Sequence, residues 1–231
     1  NSYGYILGDD SYPEVIVGRF SAETIDHVNT QVSRSLAYEQ NPSTETDWFS
    51  KGIGIGSKQG PGDDNELDYE HIRNMQTDLL GYTYTSCSEL FDGSQGGGDE
   101  PGNPNYAMVK EQVETGAGHI LYTGHGSTLG WGTTGFNSSH VDALNNATSW
   151  PFIWSVACSN GNFYNTTCFA ESWLRACDTA GNPSGALATL MSSISQDWDP
   201  PMEAQDEMVD ILVETYEDNI KRSFGGISVN G

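Results

Sequence analysis

Basic residues are scarce in this chain. Nine Lys and Arg stand against 32 Asp and Glu, so the formal net charge is −23 at pH 7. Nucleic acids and anionic membranes bind proteins largely through cationic side chains. The composition therefore argues against both as partners, and it favours cationic substrates and divalent metal ions. We expect most of the acids to form a solvated surface.

Long apolar runs and a leader segment are also absent from the sequence. No run reaches the ~18 apolar residues that a membrane-spanning helix needs, so we expect no such span. The chain opens at Asn1 without a basic and apolar leader. This does not point to the cytosol, because a mature secreted protein would have lost its signal peptide. With 231 residues, of which 36% are hydrophobic, the chain is long enough for a single large α/β domain.

The cysteines are too few for a disulfide framework at this length. They are Cys87, Cys158, Cys168 and Cys177. Neither a C-x-x-C nor an H-x-x-x-H spacing is present to support a zinc site. We interpret Cys87, Cys168 and Cys177 as buried thiols, among which one bridge could form, and Cys158 as a separate case.

Two apolar runs end in turns of small residues, and each turn presents one reactive side chain. A buried strand is predicted at residues 119–122, before His125, and the run at 150–157 ends at Cys158. Open parallel sheets bind ligands at such strand ends, and a thiol becomes a nucleophile beside an imidazole. The pairing predicts a cysteine peptidase, with the N–H groups of Gly126 and Cys158 facing the oxyanion. The alternative is a buried structural thiol and a turn histidine.

Strands and helices alternate in the predicted structure. Short strands are expected at residues 15–17, 52–57, 119–122, 150–157 and 185–191. A first helix is predicted after Ser21 as N-cap, with an apolar face of Ile25, Val28, Val32 and Leu36. Further helices are expected at residues 69–80, 106–114, 141–144, 169–176 and 207–216. The alternation predicts a mainly parallel sheet with helices on both faces, and the Gly-rich segment 92–105 is predicted to be a flexible surface loop.

Several long blocks of unusual composition cover most of the chain: YTGHGS at 122–127, and residues 15–24, 131–141, 151–163, 168–176, 200–208 and 219–231. These blocks resemble the arginine-specific gingipains, a family of secreted, caspase-like cysteine endopeptidases. The resemblance implies a caspase-like α/β fold, with residues 1–231 as a single catalytic subdomain. It also implies a secreted or cell-surface protein, with the family's preceding subdomain and C-terminal immunoglobulin-like domain outside this chain.

The resemblance assigns an arginine pocket to three residues. The block at 65–72 places the family's pocket acid at Asp68, and DWDPPM places its pocket Trp and Met at Trp198 and Met202. A carboxylate can pair with a guanidinium through two hydrogen bonds, and an aromatic face can cover its stem. From the residues alone, Asp68 also suits a helix N-cap. Trp198 and Met202 also suit core packing, although the Asp and Pro residues around them favour an exposed loop.

One position departs from the family. Where its members have a glutamate near the catalytic histidine, the alignment gives Gln59, in a loop of different length. An amide can orient the imidazole by accepting from Nδ1–H, but it cannot stabilise the imidazolium as a carboxylate does. Asp63 and Asp64 are near enough in sequence to take this role, so the histidine's third partner stays open.

The resemblance further implies structural calcium and no organic cofactor. Its implied ligands offer hard oxygen atoms, as calcium prefers. They fall into three groups: Leu7, Asp10, Tyr12 and Glu14; Glu66 and His71; and Thr167, Glu171, Asp206 and Met208. None of the groups has EF-hand spacing, so the residues alone would indicate surface acids.

Together these features predict a secreted cysteine endopeptidase that cleaves protein or peptide substrates after arginine. Cleaved segments of the same precursor are further expected partners. Two alternatives stay open. One is a lysine-directed relative, against which the DWDPPM block argues. The other is a catalytically silent, calcium-stabilised adhesion or binding module, against which the intact His125 and Cys158 argue.

Overall fold

A five-stranded parallel sheet organises the computed structural model, which describes residues 3–10, 12–42 and 44–231. The five strands are β1 (Lys51–Gly56), β2 (Ser86–Phe91), β3 (His119–Thr123), β6 (Phe152–Val156) and β7 (Ala188–Met191). Their order across the sheet is β2-β1-β3-β6-β7, and every neighbouring pair is parallel. A separate antiparallel hairpin joins β4 (Gly126–Ser127) to β5 (Gly130–Trp131).

Seven helices accompany these strands in the described ranges. They are α1 (Ile25–Gln40), α2 (Asp68–Tyr82), α3 (Tyr106–Thr115), α4 (Ser138–Val141), α5 (Phe169–Arg175), α6 (Asp199–Leu212) and α7 (Phe224–Asn230). Short 3₁₀ turns occur at Asp47–Ser50 and Asp63–Asn65. Every helix of the described residues is too short or too polar to cross a membrane.

The sheet separates two hydrophobic cores. Alternate side chains of a strand point to opposite faces, so Ile120 and Tyr122 pack with α3 and α5, while Leu121 packs with α2, α6 and α7. The prediction of a mainly parallel sheet with helices on both faces is confirmed.

Glycine in β1 brings helix α2 close to the sheet. A Cβ added at Gly56 would lie 2.6 Å from the Cα of Tyr69. The alternating Gly and Ile of this strand therefore place isoleucine on one face and a close-packed helix on the other. As a result, the first turn of α2, which begins at Asp68, lies beside the end of β1.

Helix α1 does not face the core as predicted. It begins one turn later than expected, with Thr24 as N-cap accepting from the His27 N–H at 3.2 Å. Ile25, Val28 and Leu36 are exposed, whereas Arg34 is buried and donates to the carbonyl oxygens of Ser184 and Leu174. Burial lowers the pKa of Arg34 to about 10. The apolar spacing therefore predicted the wrong buried face of α1. Arg34 can be buried because the carbonyl oxygens of Leu174, at the end of α5, and Ser184, before β7, accept its hydrogen bonds.

Near the start and the end of the chain, the strands and helices of the structure differ from the predicted ones. Residues 15–17 form no strand, because no described strand lies beside them to share a ladder. Helix α6 begins at Asp199, earlier than predicted, with prolines in its first turn, where a missing N–H costs nothing. Helix α7 was missed, because its Gly225 and Gly226 weaken the helical pattern.

Segment 92–105 makes specific contacts, both with neighbouring elements and within itself. Arg73 pairs with both oxygens of Glu89, at 2.9 and 2.7 Å, and also donates to the carbonyl oxygen of Gly96 at 2.8 Å. Asp99 accepts from the N–H groups of Phe91 and Gln95, at 3.0 and 2.9 Å. The contacts therefore come both from outside the segment, through Arg73, and from within it, through Asp99, and its flexibility stays a prediction.

Candidate active site

His125 follows the central strand β3 directly. Thr123 of β3 pairs with Val156 of β6, and the Gly124 N–H donates to the Val156 carbonyl at 3.1 Å. The carbonyl of His125 accepts from the Tyr122 hydroxyl at 2.6 Å and from the Gly132 N–H at 2.7 Å. These bonds fix the backbone at His125 and leave its imidazole exposed at the carboxyl edge of the sheet.

Gln59 contacts the imidazole of His125. Its Oε1 lies 2.8 Å from Nε2. An amide oxygen can only accept, so Nε2–H donates and Nδ1 is left to exchange protons. This corrects the expected nitrogen, which was Nδ1. Asp63 and Asp64 make no hydrogen bond to His125 in the described structure; they lie beside Asp206 instead.

Cys158 follows the neighbouring strand β6 after one intervening residue. Its half-buried thiol lies 3.8 Å from the carbonyl oxygen of Gln196. The next residue, Ser159, has a left-handed backbone with φ of 61°, and its N–H donates to the Ile194 carbonyl at 2.9 Å. The Cys158 N–H has no acceptor within the described chain, as an oxyanion donor requires. All four cysteines lie in the described ranges and are free thiols.

Gly126 brings the two loops into contact. A Cβ added at Gly126 would lie 2.7 Å from the Cβ of Ala157 and 2.9 Å from the carbonyl oxygen of Cys158. Side chains do not approach each other that closely, so any other residue would push the loops apart. The predicted reactive pair therefore lies on adjacent strand ends whose loops pack against each other.

Asn160 links the same loops and was missed by sequence reasoning. It is fully buried, and its Nδ2 donates to the carbonyls of Ser127 at 2.6 Å and Gly130 at 3.1 Å. Its Oδ1 accepts from the Ser155 hydroxyl at 3.1 Å, which in turn accepts from Trp131 Nε1 at 2.9 Å. In the sequence Asn160 looks like an ordinary turn residue, and nothing there signals its burial.

Asp68 is the first residue of α2, not its N-cap. The preceding Leu67 donates its N–H to Glu70 at 2.9 Å, so the helix start does not use the Asp68 carboxylate. That carboxylate is fully buried: Oδ2 accepts from the Ser57 hydroxyl, and Oδ1 has no partner among the described residues. Burial raises the pKa of Asp68 to about 6, the Ser57 bond opposes this rise, and the charge of Asp92 adds to it.

Trp198 and Met202 lie at the start of α6. The Trp198 ring meets the His125 ring edge-on, with centroids 5.5 Å apart. Met202 is fully buried and packs against Gly62, so the expected exposed loop is wrong for this residue. Asp68 joins the group through its N–H, which donates to the Gln59 carbonyl at 2.9 Å. The predicted pocket acid and aromatic wall therefore lie on either side of the Gln59–His125 pair.

His71 is the centre of an acidic cluster next to this region. It is fully buried, and its Nδ1 has no hydrogen bond within the described structure, lying 3.4 Å from Asp206 and 3.7 Å from Glu66. Burial lowers the pKa of His71 to about 4. Burial, together with Glu66, Asp63 and Asp64, raises the pKa of Asp206 to about 8. Carboxylate oxygens of Asp63, Asp64 and Asp206 lie within 4.8 Å of one another. This donor set suits a divalent cation, which would relieve the repulsion.

The other expected metal ligands behave differently. Leu7, Asp10, Tyr12 and Glu14 share one exposed loop, where Glu14 accepts from the Leu7 N–H at 3.2 Å and Asp10 from the Tyr12 N–H at 2.9 Å. Backbone N–H groups, chiefly that of Ile6, lower the pKa of Glu14.

Glu171 and Asp206 do not share a site, contrary to expectation. Glu171 lies on α5, close to Thr167, and pairs with Arg175 at 2.8 Å, while Asp206 and Met208 lie on α6. These helices cover opposite faces of the sheet. The four residues therefore cannot bind one ion.

The comparisons with known proteins agree with this geometry. The chain matches the model of peptidase family C25 over residues 1–231. It is 42% identical over 232 residues to gingipain R2 of Porphyromonas gingivalis, covering 99% of this chain and 30% of that protein. Lys-gingipain of the same species is 23% identical over 200 residues, covering 85% of this chain and 11% of that protein.

A solved structure gives the same result. The crystal structure of the Arg-specific cysteine proteinase gingipain R superposes with a TM-score of 0.91 at 39% identity, covering 99% of this chain and 51% of that one. The expected caspase-like fold and the resemblance to the arginine-specific gingipains are thereby confirmed. This chain belongs to peptidase family C25.

Proposed function

We propose that the protein is an extracellular cysteine endopeptidase that cleaves after arginine. The observation that carries this proposal is the packing of the His125 loop on the Cys158 turn through Gly126. The solved gingipain R is named as an Arg-specific cysteine proteinase, and the chain spans only 30% of the length of gingipain R2. Support for this activity therefore comes from the residues of this chain.

The chemistry follows from the order of groups at the strand ends. His125 takes the thiol proton as Cys158 attacks the scissile carbonyl, and it gives this proton to the amine that leaves when the C–N bond breaks. Water then hydrolyses the thioester and regenerates the thiol, and the N–H groups of Gly126 and Cys158 stabilise the oxyanion in both steps. Gln59 holds the ring through Nε2 at 2.8 Å. Because an amide is neutral, it orients the imidazole without stabilising the charged form as a carboxylate would.

Arginine selection follows from the buried carboxylate of Asp68. Its unpartnered Oδ1 is a costly group to bury, and a guanidinium would satisfy it. The planar face of Trp198 suits the guanidinium stem better than the compact ammonium of lysine. The greater identity to gingipain R2 than to Lys-gingipain, 42% against 23%, supports arginine over lysine.

We propose a structural calcium ion in the acidic cluster. Glu66, His71 and Asp206, with Asp63 and Asp64, would hold it, and the ion would neutralise their combined charge. The loop of Asp10 and Glu14 stays a second predicted calcium site. Secretion and the cleavage of arginine-containing proteins remain part of this proposal, as do precursor segments as partners.

The decisive experiment labels the thiol. An arginyl chloromethyl ketone should modify Cys158, and Cys158→Ala should abolish both labelling and turnover of an arginyl peptide amide. Cys177→Ala is the matched control, because Cys177 is also a half-buried free thiol, and it should keep both. A wild-type chain that neither takes the label nor cleaves the substrate would instead be a silent binding module.

Specificity is tested with matched arginyl and lysyl substrates. We expect a preference for arginine on the order of 100-fold in kcat/KM, because lysine leaves a bidentate contact unmade. Equal rates for the two substrates would mean that Asp68 and Trp198 do not form the pocket.

A further inference from the structure

Apart from the Ala170 N–H of α5, which donates to the Asn160 carbonyl at 3.0 Å, hydrogen bonds attach the turn that carries Cys158 on two sides. On one side the bonds are made by backbone alone: the Ser159 N–H donates to the Ile194 carbonyl at 2.9 Å, and the Gly161 N–H to the Ser192 carbonyl at 2.8 Å. On the other side, toward the hairpin that follows His125, the attachment is the side chain of Asn160.

Asn160 suits this position in both shape and hydrogen bonding. Its two N–H donors reach the carbonyls of Ser127 and Gly130, and its oxygen accepts from Ser155. A leucine of similar size would remove both donors, leaving the Gly130 carbonyl with the Ser127 hydroxyl at 3.4 Å as its remaining side-chain donor, and a carboxylate would repel both carbonyls. The Trp131–Ser155 hydrogen bond, at 2.9 Å, extends the chain of contacts back into the hairpin.

On the basis of the peptidase function proposed above, we infer that Asn160 is a positioning residue that sets the separation between the Cys158 thiol and the His125 imidazole. Gly126 sets how closely the two loops approach, and Asn160 prevents them from separating. Its side chain touches no reacting atom. It acts on the rate through geometry, since a displacement of ~1 Å can cost about 100-fold.

The chain provides a matched control for this inference. Asn146 is also buried, donates from Nδ2 to two carbonyls, of Ser149 at 2.9 Å and Gly185 at 2.8 Å, and accepts from the Gly185 N–H at 2.8 Å. It lies before β6, at the opposite edge of the sheet from Cys158. Each asparagine therefore donates to two carbonyls and accepts one hydrogen bond, from a hydroxyl at Asn160 and from a backbone N–H at Asn146.

The experiment compares Asn160→Leu with Asn146→Leu. We expect both variants to lose similar thermal stability. Asn160→Leu should lower kcat about 100-fold with KM within about twofold, whereas Asn146→Leu should change neither by more than about twofold. Alkylation of Cys158 by iodoacetamide at neutral pH, which needs no substrate, should slow only in Asn160→Leu.

Ser155→Ala gives a milder test should Asn160→Leu fail to fold. It removes the donor to the Asn160 oxygen and the acceptor of Trp131 Nε1 while leaving the Asn160 side chain in place, and it should lower kcat about tenfold at unchanged KM. Equal kinetics of the Asn146 and Asn160 variants, or of Ser155→Ala and wild type, would overturn the positioning role. An inactive, unlabelled wild-type chain would instead overturn the peptidase function itself.

Discussion

Asp68 and His71, on the same turn of helix α2, belong to two different buried acidic regions. The two regions lack different kinds of partner. Asp68 is a single carboxyl with one unpartnered oxygen, and its pKa is raised to about 6. Three residues later, His71 faces the cluster of Glu66 and Asp206, where the pKa of Asp206 is raised to about 8. The first can ionise at neutral pH and needs one monovalent partner. The second region holds several carboxylates, and only a cation of higher charge would balance their combined negative charge.

The largest expected effect comes from removing the single acid. Asp68→Asn should lower kcat/KM for an arginyl substrate by about 100-fold or more, because the guanidinium loses a charge-assisted pair. Alkylation of Cys158 by iodoacetamide should not change. Asp92→Asn is the control, because Asp92 acts on Asp68 only through its charge. If Asp92→Asn lowered kcat/KM as much as Asp68→Asn does, the pocket assignment would be wrong.

Next in size is the effect of metal on the cluster. Exhaustive chelation should lower the melting temperature, since a ligand at 100 times its Kd contributes about 2.7 kcal/mol to folding. Without metal, Asp206→Asn should have a higher melting temperature than wild type, because repulsion among the carboxylates is relieved. Calcium should no longer raise the melting temperature of this variant. Differential scanning calorimetry with and without calcium measures both. A melting temperature indifferent to chelation would remove calcium from this site.

The pH dependence of guanidinium binding separates the two regions. With a pKa of about 6, Asp68 is protonated at lower pH, so the affinity for agmatine should fall about tenfold for each pH unit below 6. The same shift means that the folded state binds this proton more tightly, so its contribution to stability decreases as pH rises towards 6. Asp92→Asn should move the fall in affinity to lower pH, as measured by calorimetric titration. Affinity that stays constant from pH 7 to 4 would contradict this account.

The smallest effect concerns an acid introduced at position 59, next to Asp68 in the structure. Gln59→Glu would give His125 a charged partner at Nε2, where the amide oxygen now lies at 2.8 Å. A charge-assisted bond exceeds a neutral one by about 1 kcal/mol, so kcat should rise about fivefold. Gln40→Glu, at an exposed glutamine at the end of α1, controls for added charge. A kcat unchanged or lowered by Gln59→Glu would mean that the imidazolium needs no such stabilisation.

Sequence reasoning succeeded where a local pattern decides the structure. The apolar runs before His125 and Cys158 end in glycine and other small residues, so the strands and their turns were predictable. Because β3 and β6 are parallel neighbours, the turns that follow them lie at the same edge of the sheet. The positions of Gln59, Asp68 and Trp198 came from family resemblance, and their contacts with one another are visible only in three dimensions.

The two unexpected burials share one physical cause, which is satisfaction of polar groups by distant partners. Arg34 and Asn160 are buried because carbonyls far away in sequence, at Ser184 and Ser127, accept their hydrogen bonds. No periodicity encodes such partners. The pairing of Glu171 with Asp206 failed for a related reason, because the sheet that separates them is a property of the whole fold.

The two attachments of the Cys158 turn differ in their tolerance of mutation. Backbone bonds such as that from Ser159 to Ile194 survive almost any change of side chain, so the exposed Ile194 is free to vary. The attachment through Asn160 depends on one amide, for which no other amino acid offers the same length and donors. A saturation library screened for peptide cleavage should therefore accept most residues at position 194 and almost none at position 160.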